Sequence, residues 1–272
     1  MTVVTVLHPG AMGAAVGRQA LHGGSTVRWV ATNRSDATRT RAAAAGLEER
    51  AELTTALDGA DVVLSICPPA YAEDVAREVS DYRGVYVDAN AISPARVQRI
   101  AALLPTARVV DGGIIGPPPS RSGTTRLYLS GDTDGVEKLF VGTALEVVVL
   151  PGGIGRASAL KMAYASYQKA SRVLAAIAHA LAVQHGVGDY LTHEAELLHS
   201  FPLADVDQFS GVAARAWRWA PEMREVADAL RDAALPDGLA LGAAAALDRW
   251  TSAKDRDDVA VIDVLGQLIG DS

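Results

Sequence analysis

Apolar residues in the first half of the chain gather into short, almost unbroken runs, and stretches of helical spacing separate them. Seven runs read as strands: Thr2 to Leu7, Thr26 to Ala31, Asp61 to Ile66, Gly84 to Asp88, Ala107 to Val110, Arg126 to Ser130 and Leu145 to Leu150. Runs that do not alternate with polar residues suit strands covered on both faces. The intervening segments, such as Tyr71 to Ser80 and Pro94 to Leu104, carry the polar outer positions of covering helices. This alternation predicts parallel strands joined by right-handed helical crossovers, an α/β domain over residues 1–152.

After Pro151-Gly152-Gly153 the pattern changes. Between Gly155 and Gly186 the chain is rich in Ala, Leu and Val and has no acidic residue, proline or further glycine. One long interdomain helix to about His185 follows, ended at Gly186 and Gly188. Further helices are predicted over Thr192 to His199, Asp205 to Trp219, Pro221 to Ala233, Gly238 to Trp250 and Val259 to Ile269. Residues 153–272 therefore read as an all-α domain. A long helix that is apolar over most of its circumference needs cover on several sides, which a small domain cannot supply alone. A second copy of the chain is the economical cover, and a homodimer is expected.

Composition narrows the partners. A net charge of −7 and a pI near 5.4, with no Lys/Arg cluster to override them, exclude nucleic acid as an expected ligand. Cys67 has no intrachain disulfide partner, which fits a reducing compartment. The N-terminus lacks a basic leader, and no apolar stretch approaches the roughly 20 residues of a membrane span. A cytoplasmic protein without a membrane partner is expected. The six histidines show no metal-ligand spacing, His193 to His199 being too wide for one turn, and no metal is expected.

The chemistry begins where the first strand meets His8-Pro9-Gly10-Ala11-Met12-Gly13 and a helix follows. A strand, a glycine turn and a helix N-terminus bring backbone N–H groups and the positive helix end to a pyrophosphate, the Rossmann dinucleotide site. Gly10 would admit the phosphates and Gly13 a close helix–strand approach. His8 stands where the usual motif has its first glycine, and a plain tight turn is the bland alternative. About 20 residues beyond Gly13, where an acidic residue would bind the ribose of NAD, stands Asn33-Arg34-Ser35. A guanidinium flanked by donors suits a 2′-phosphate, so NADP(H) is the expected cofactor; otherwise Arg34 is a solvated loop charge. Two later strand ends should face the same crevice. Cys67 and Pro68 would pack beside the cofactor without chemistry of their own, and Asn90 would hydrogen-bond near the nicotinamide or its ribose. On the long helix Ser158, Lys161, Tyr164 and Gln168 form one polar stripe, either a site or a water-facing edge.

These stretches, with Val87 to Pro94, Asp111-Gly112-Gly113-Ile114-Ile115-Gly116, and Gly152 to Gly155 leading to Lys161, resemble the β-hydroxyacid dehydrogenase and 6-phosphogluconate dehydrogenase superfamily. Leu7 to Gly13, Arg215 to Trp219 and Glu222-Met223 are similar to the branch with a phosphogluconate-dehydrogenase-like C-terminal domain, to which imine reductases are near relatives. The resemblance implies hydride transfer across an interdomain cleft, a dimer of interlocked long helices, and Lys161 as proton donor or acceptor, or as a stabiliser of a developing oxyanion. In the glycine-rich turn after the fifth strand, Ile115 takes the place of a substrate-binding serine, and Tyr164 that of an asparagine, so the pocket is expected to be more apolar than one for a hydroxy acid. The expected activity is NADPH-dependent hydride transfer to or from a carbonyl/hydroxyl or imine/amine group of a small molecule. Lys161 is the expected relay and Tyr164 a second candidate donor, with Ile115, Gln168, Trp219, Glu222 and Met223 as candidate substrate contacts. A strict imine reductase using Tyr164 and a catalytically silent NADP-binding sensor are the rivals. Structural roles stand beside these: core for Trp217, Trp219 and Met223, a helix first turn after Pro221 for Glu222, and interface or surface charge for Lys169 and Arg172.

Overall fold

The computed structural model describes residues 1–202 and 204–269, and the chain divides into two compact units, Met1–Lys161 and Met162–Ser272. The first is an α/β unit. Its elements in order are β1 (Val3–Val6), α1 (Ala11–His22), β2 (Thr26–Val30), α2 (Asp36–Ala44), β3 (Glu48–Arg50), α3 (Leu53–Leu57), β4 (Val62–Ser65), α4 (Ala72–Glu78), β5 (Val85–Asp88), α5 (Pro94–Leu103), β6 (Arg108–Ile115), β7 (Thr125–Gly131) and β8 (Leu145–Val149). They build one sheet in the order β3-β2-β1-β4-β5-β6-β7-β8. Strand order reverses direction at β1 and β4, the switch point at whose carboxyl side such sheets bind ligands.

Successive strand residues point to opposite faces, so each strand serves two cores. Leu64 joins Val4, Val6, Val87 and Leu129 in the core that includes residues of α1, while its neighbour Val63 joins Val75, Tyr86, Val97 and Ile100 in the core that includes residues of α4 and α5. The near-continuous apolar runs in the sequence follow from this double burial.

Three features depart from the sequence reading. An eighth strand, β3, pairs with β2 as a short edge of Glu48, Glu49 and Arg50, whose polar residues give no strand signal. β6 runs on through Asp111, Gly112 and Gly113 to Ile115 where the sequence suggested a turn. β6 and β7 pair antiparallel, not parallel, because residues 116–124 hold no crossover helix. The two glycines are a packing requirement: a methyl on Gly112 would lie 3.1 Å from Ala89 Cβ, and one on Gly113 only 2.7 Å from the carbonyl oxygen of Ala157.

Ala157 belongs to α6 (Arg156–Gln184), the long helix, which begins in the first unit and continues in the second. The division between units falls inside this helix, not at the Pro151–Gly153 turn. The second unit continues with α7 (Gly188–Leu197), α8 (Gln208–Asp232), α9 (Gly238–Leu247) and α10 (Val261–Ile269), all helical as the sequence indicated. α8 is one helix where two were expected, and Pro221 lies inside it. Proline removes an interior N–H, yet Ala216, Ala220, Met223, Val226 and Ala227 make one buried face that spans the proline, and α8 packs along α9. That packing outweighs the lost bond. α9 stops at Leu247, and a 3-10 segment, Asp248–Ala253, seats fully buried Trp250, whose indole N–H donates to the Val264 carbonyl at 2.8 Å. Among the described residues no helix is long and apolar enough to cross a membrane.

Candidate functional site

At the carboxyl end of β1 the chain turns within His8, Pro9 and Gly10 and enters α1 at Ala11. The Gly10 N–H donates to the His8 carbonyl at 2.9 Å, and no side chain caps the helix, whose first N–H groups lack intrahelical acceptors. The two glycines differ in what demands them. A methyl on Gly13 would collide with the His8 carbonyl oxygen, whereas one on Gly10 would meet no protein atom within 4 Å. Ala11 is exposed, and Met12 packs partly against the core beside α1.

Beyond β2 the Arg34 N–H donates to the Ala31 carbonyl at 3.2 Å, with Asn33 in the left-handed region at φ 59°, a conformation asparagine adopts more readily than most residues. This turn folds Arg34 back toward β1. Its Nη2 lies 2.8 Å from His8 Nε2 and 3.5 Å from the Leu7 carbonyl. Burial, and then the guanidinium charge, hold the His8 imidazole down at about 4, so near neutrality it is an uncharged acceptor. Its Nδ1 and the Arg34 Nε are buried without a protein partner. Both residues line a cavity of about 250 Å³ with Thr32, Asn33 and the carboxylates Glu52 and Glu78. Ser35 caps α2, its Oγ accepting from the Thr38 N–H at 3.3 Å. A larger hollow of about 500 Å³ runs beside the edge strand β8, lined by Phe140, Thr143 and Leu145 with Glu137 and Glu146. It lacks the strand ends and the cation, so the smaller cavity is the better candidate.

Asn90 is a brace. Its Oδ1 accepts from the Cys67 N–H at 2.6 Å, and its Nδ2 donates to Ser65 Oγ at 3.1 Å and to Asp88 Oδ2 at 3.0 Å. Both Nδ2 hydrogens are thereby used within the protein. The side chain ties the end of β4 to the end of β5. Asp88, which it holds, is buried, and desolvation raises its carboxyl to about 7 against the opposing pull of the Asn90 hydrogen bonds. Burial and the Asp88 charge push the Cys67 thiol up to about 12, so it is inert near neutrality. Pro68, exposed, precedes a 3-10 turn.

The start of α6 is fixed by a carboxylate that sequence reasoning missed. Asp111, wholly buried in β6, accepts at Oδ2 from the N–H groups of Gly155 (2.9 Å) and Ser158 (3.0 Å) and from Ser130 Oγ (2.8 Å); at Oδ1 it accepts from Ser158 Oγ (2.6 Å). A negative charge at a helix N-terminus is favoured by the dipole and satisfies orphan donors. A signal existed: a long helix that opens Gly155-Arg156, with no Ser, Thr, Asp or Asn to cap it, needs an acceptor from elsewhere. Ser158 therefore leaves the polar stripe for a structural role. Lys161, one turn on and half-buried, has its Cβ 3.3 Å from where a Gly113 methyl would stand. Ile115, expected in a turn, is a buried strand residue paired with Arg126.

In the second unit Tyr164 is exposed and Gln168 half-buried. Met223 is wholly buried, a core residue, and Trp217 is partly exposed with its indole N–H donating to Asp255 Oδ1 at 3.1 Å. Glu222 is in mid-helix, not in a first turn. It is buried, and Lys169 Nζ donates to its Oε1 at 2.6 Å. Lys169, expected at a surface or interface, is 4% exposed and lies over the half-buried Trp219 ring at 5.2 Å from its centroid. Arg172 donates to the Gln168 carbonyl and stacks over Phe201.

The parallel strands around a β1–β4 switch point, the glycine turn and the appended helical unit define a dinucleotide-binding fold with a helical C-terminal part. Residues 3–91 match the family described as NADP oxidoreductase coenzyme F420-dependent, and residues 178–250 match DUF1932, a domain of unknown function. A curated relative, an uncharacterized 28.5 kDa protein from Methanothermus fervidus, is 28% identical over 137 residues, which is 50% of this chain and 53% of that protein. The matched stretch thus spans about half the length of the relative. Among solved structures, 3-hydroxyisobutyrate dehydrogenase of Mycobacterium tuberculosis with L-serine superposes at a TM-score of 0.72, 19% identical, over 99% of this chain and 100% of that one. A reductive aminase from Aspergillus terreus with NADPH and ethyl levulinate gives 0.58 and 17%, over 98% and 99%. The chain thus shares the fold of these two solved structures.

Proposed function

We propose that the protein is an NADP(H)-dependent oxidoreductase that transfers hydride between the nicotinamide and a carbonyl/hydroxyl or imine/amine group of a small organic molecule. The observation that carries this is Arg34, folded back by the Ala31–Arg34 turn into the cavity at the β1 and β2 ends where an adenosine ribose binds in such folds. The site fits a dinucleotide on two counts. Gly10 has open space where a methyl would be, and the buried Arg34 Nε–H and His8 Nδ1–H lack acceptors, a demand that a phosphate can meet.

The backbone of residues 10–13 and the N-terminus of α1 would hold the pyrophosphate, and Arg34 with Asn33 the 2′-phosphate. A bound reduced nicotinamide supplies the hydride. Lys161 then delivers the proton to the substrate oxygen or nitrogen, so that reduction adds one hydride and one proton across the double bond; oxidation returns both. Its place on α6 is set from two sides, by the Asp111 clasp on the helix start and by the glycine at 113 that lets strand and helix approach. The names and ligands of the superposed structures support this class of reaction. Substrate-dependent loss of NADPH absorbance is the test: a Lys161→Met variant is expected to lose about 10²- to 10⁴-fold in kcat, and full turnover would overturn the assigned role.

Tyr164, exposed one turn along from Lys161, favours a second reading in which the phenol is the donor and imines are the only substrates. A Tyr164→Phe variant that loses imine turnover while Lys161→Met keeps it would select that reading. No substrate-dependent oxidation of NADPH, with dinucleotide binding intact, would select a sensor. We further propose a homodimer in the cytoplasm. Tyr167, Leu174 and Leu181 recur every seven residues of α6, with Ile177 between them, and all four are exposed.

A further inference from the structure

We infer that His8 is a specificity-determining positioning residue, whose imidazole holds the Arg34 guanidinium at the end of β1 so that a phosphorylated adenosine ribose meets an ordered cation, an inference that rests on the NADP(H) reading above. The geometry begins with what the fold does not require. His8 is not in the left-handed region, so glycine's conformational freedom is not needed at this position. The close packing of α1 uses the His8 carbonyl opposite Gly13, not its side chain. The imidazole is therefore available to Arg34.

It is also the better of the two acceptors the guanidinium has here. Nη2 lies 2.8 Å from His8 Nε2 and 3.5 Å from the Leu7 carbonyl, and the second distance is at the limit of a hydrogen bond. With glycine at residue 8 only that marginal contact would remain, and a long side chain with several rotors would disperse among rotamers. An arginine ordered beforehand loses less freedom when it binds, which raises affinity without a new contact. Chemistry agrees with the geometry. Burial and the adjacent guanidinium keep His8 uncharged near neutrality. Nε2 then presents a lone pair to Arg34, and the ring proton resides on Nδ1. That N–H and the Arg34 Nε–H are two buried donors without acceptors beside one cavity, and an anion with several oxygens answers both. Glu52 and Glu78, exposed in the same cavity lining, oppose an anion. A fixed guanidinium is what must outweigh them.

Titration calorimetry of the full chain with adenosine 2′,5′-bisphosphate and with 5′-AMP tests this without turnover. The wild type is expected to prefer the bisphosphate, and Arg34→Ala to lose that preference. His8→Gly should lower the preference about tenfold, equivalent to about 1.4 kcal/mol, and leave 5′-AMP affinity unchanged. His8→Gln, which restores an acceptor, should recover most of it. If Arg34→Ala loses the preference and His8→Gly keeps it, the role of His8 is overturned and the NADP(H) reading stands. Equal weakening of both ligands by His8→Gly, or no recovery with glutamine, would reduce His8 to a structural residue. A wild type without preference would overturn the cofactor reading and this inference together.

Discussion

Lys169 donates to Glu222 at 2.6 Å in the helical unit, joining α6 to α8 across 53 residues of sequence with both side chains nearly out of solvent. The Trp219 ring flanks the ammonium. Two charges taken from water in this way compensate each other, which ties the register of one helix to that of the other.

Breaking the pair from one side should therefore cost more than replacing it. Lys169→Met or Glu222→Leu alone is expected to destabilise by ~3–5 kcal/mol, whereas the double variant should be close to neutral or stabilising. Urea unfolding followed by circular dichroism measures all three, and additive losses in the double variant would contradict the coupling.

The Asp111 clasp makes a similar prediction at the head of α6. Asp111→Asn keeps the shape but removes the charge and half of the accepting capacity for four donors. A loss of roughly 2–4 kcal/mol is expected, since hydrogen bonds to charged groups contribute about 1.5–3 kcal/mol each. An unchanged urea midpoint would contradict it.

Gly10 and Gly13 separate ligand from fold. Gly13→Ala forces a methyl onto the His8 carbonyl oxygen and should cost about 1–3 kcal/mol. Gly10→Ala meets no protein atom within 4 Å, so stability should hold while NADP(H) affinity falls at least tenfold by calorimetry. Undiminished binding by Gly10→Ala would count against a pyrophosphate at this turn.

Asp88 gives a pH signature. Its folded value of about 7 lies above the ordinary Asp value near 3.9, so between these limits the folded chain binds the extra proton and stability falls as pH rises through the window. His8 works in the opposite sense between about 4 and 6.5. Its proton is favoured in the unfolded chain, and stability rises with pH there. Comparison with Asp88→Asn isolates the carboxyl. The variant should gain roughly 2–3 kcal/mol relative to wild type between pH 5 and pH 8, and parallel stability curves would rule this out.

Leu174, at the centre of the heptad-spaced apolar row on α6, offers the test of association. Leu174→Glu should shift the mass measured by light scattering from dimer to monomer. A wild type already monomeric at micromolar concentration would end the dimer proposal.

The α/β unit and the long helix were legible because double burial and helical spacing leave periodic traces, seen in Val62–Ser65 and in α6. What escaped has physical causes. β3 is an edge whose residues face water, Gly112-Gly113 reads as a turn although the first glycine makes room for Ala89 and the second for Ala157, and Pro221 reads as a break that packing overrides. Arg34 stood out by its spacing from Gly13. Its partner His8, the Asp111 clasp and the Lys169–Glu222 pair did not, because each joins residues far apart in sequence, where periodicity is silent.

The clasp on α6 also fixes phase. Ser158 is held by Asp111 and Lys161 follows three residues later, so one residue inserted between them would leave the anchor intact yet swing the ammonium by about 100° around the helix axis. Length changes that keep Lys161 in phase with this anchor must fall outside residues 155–161.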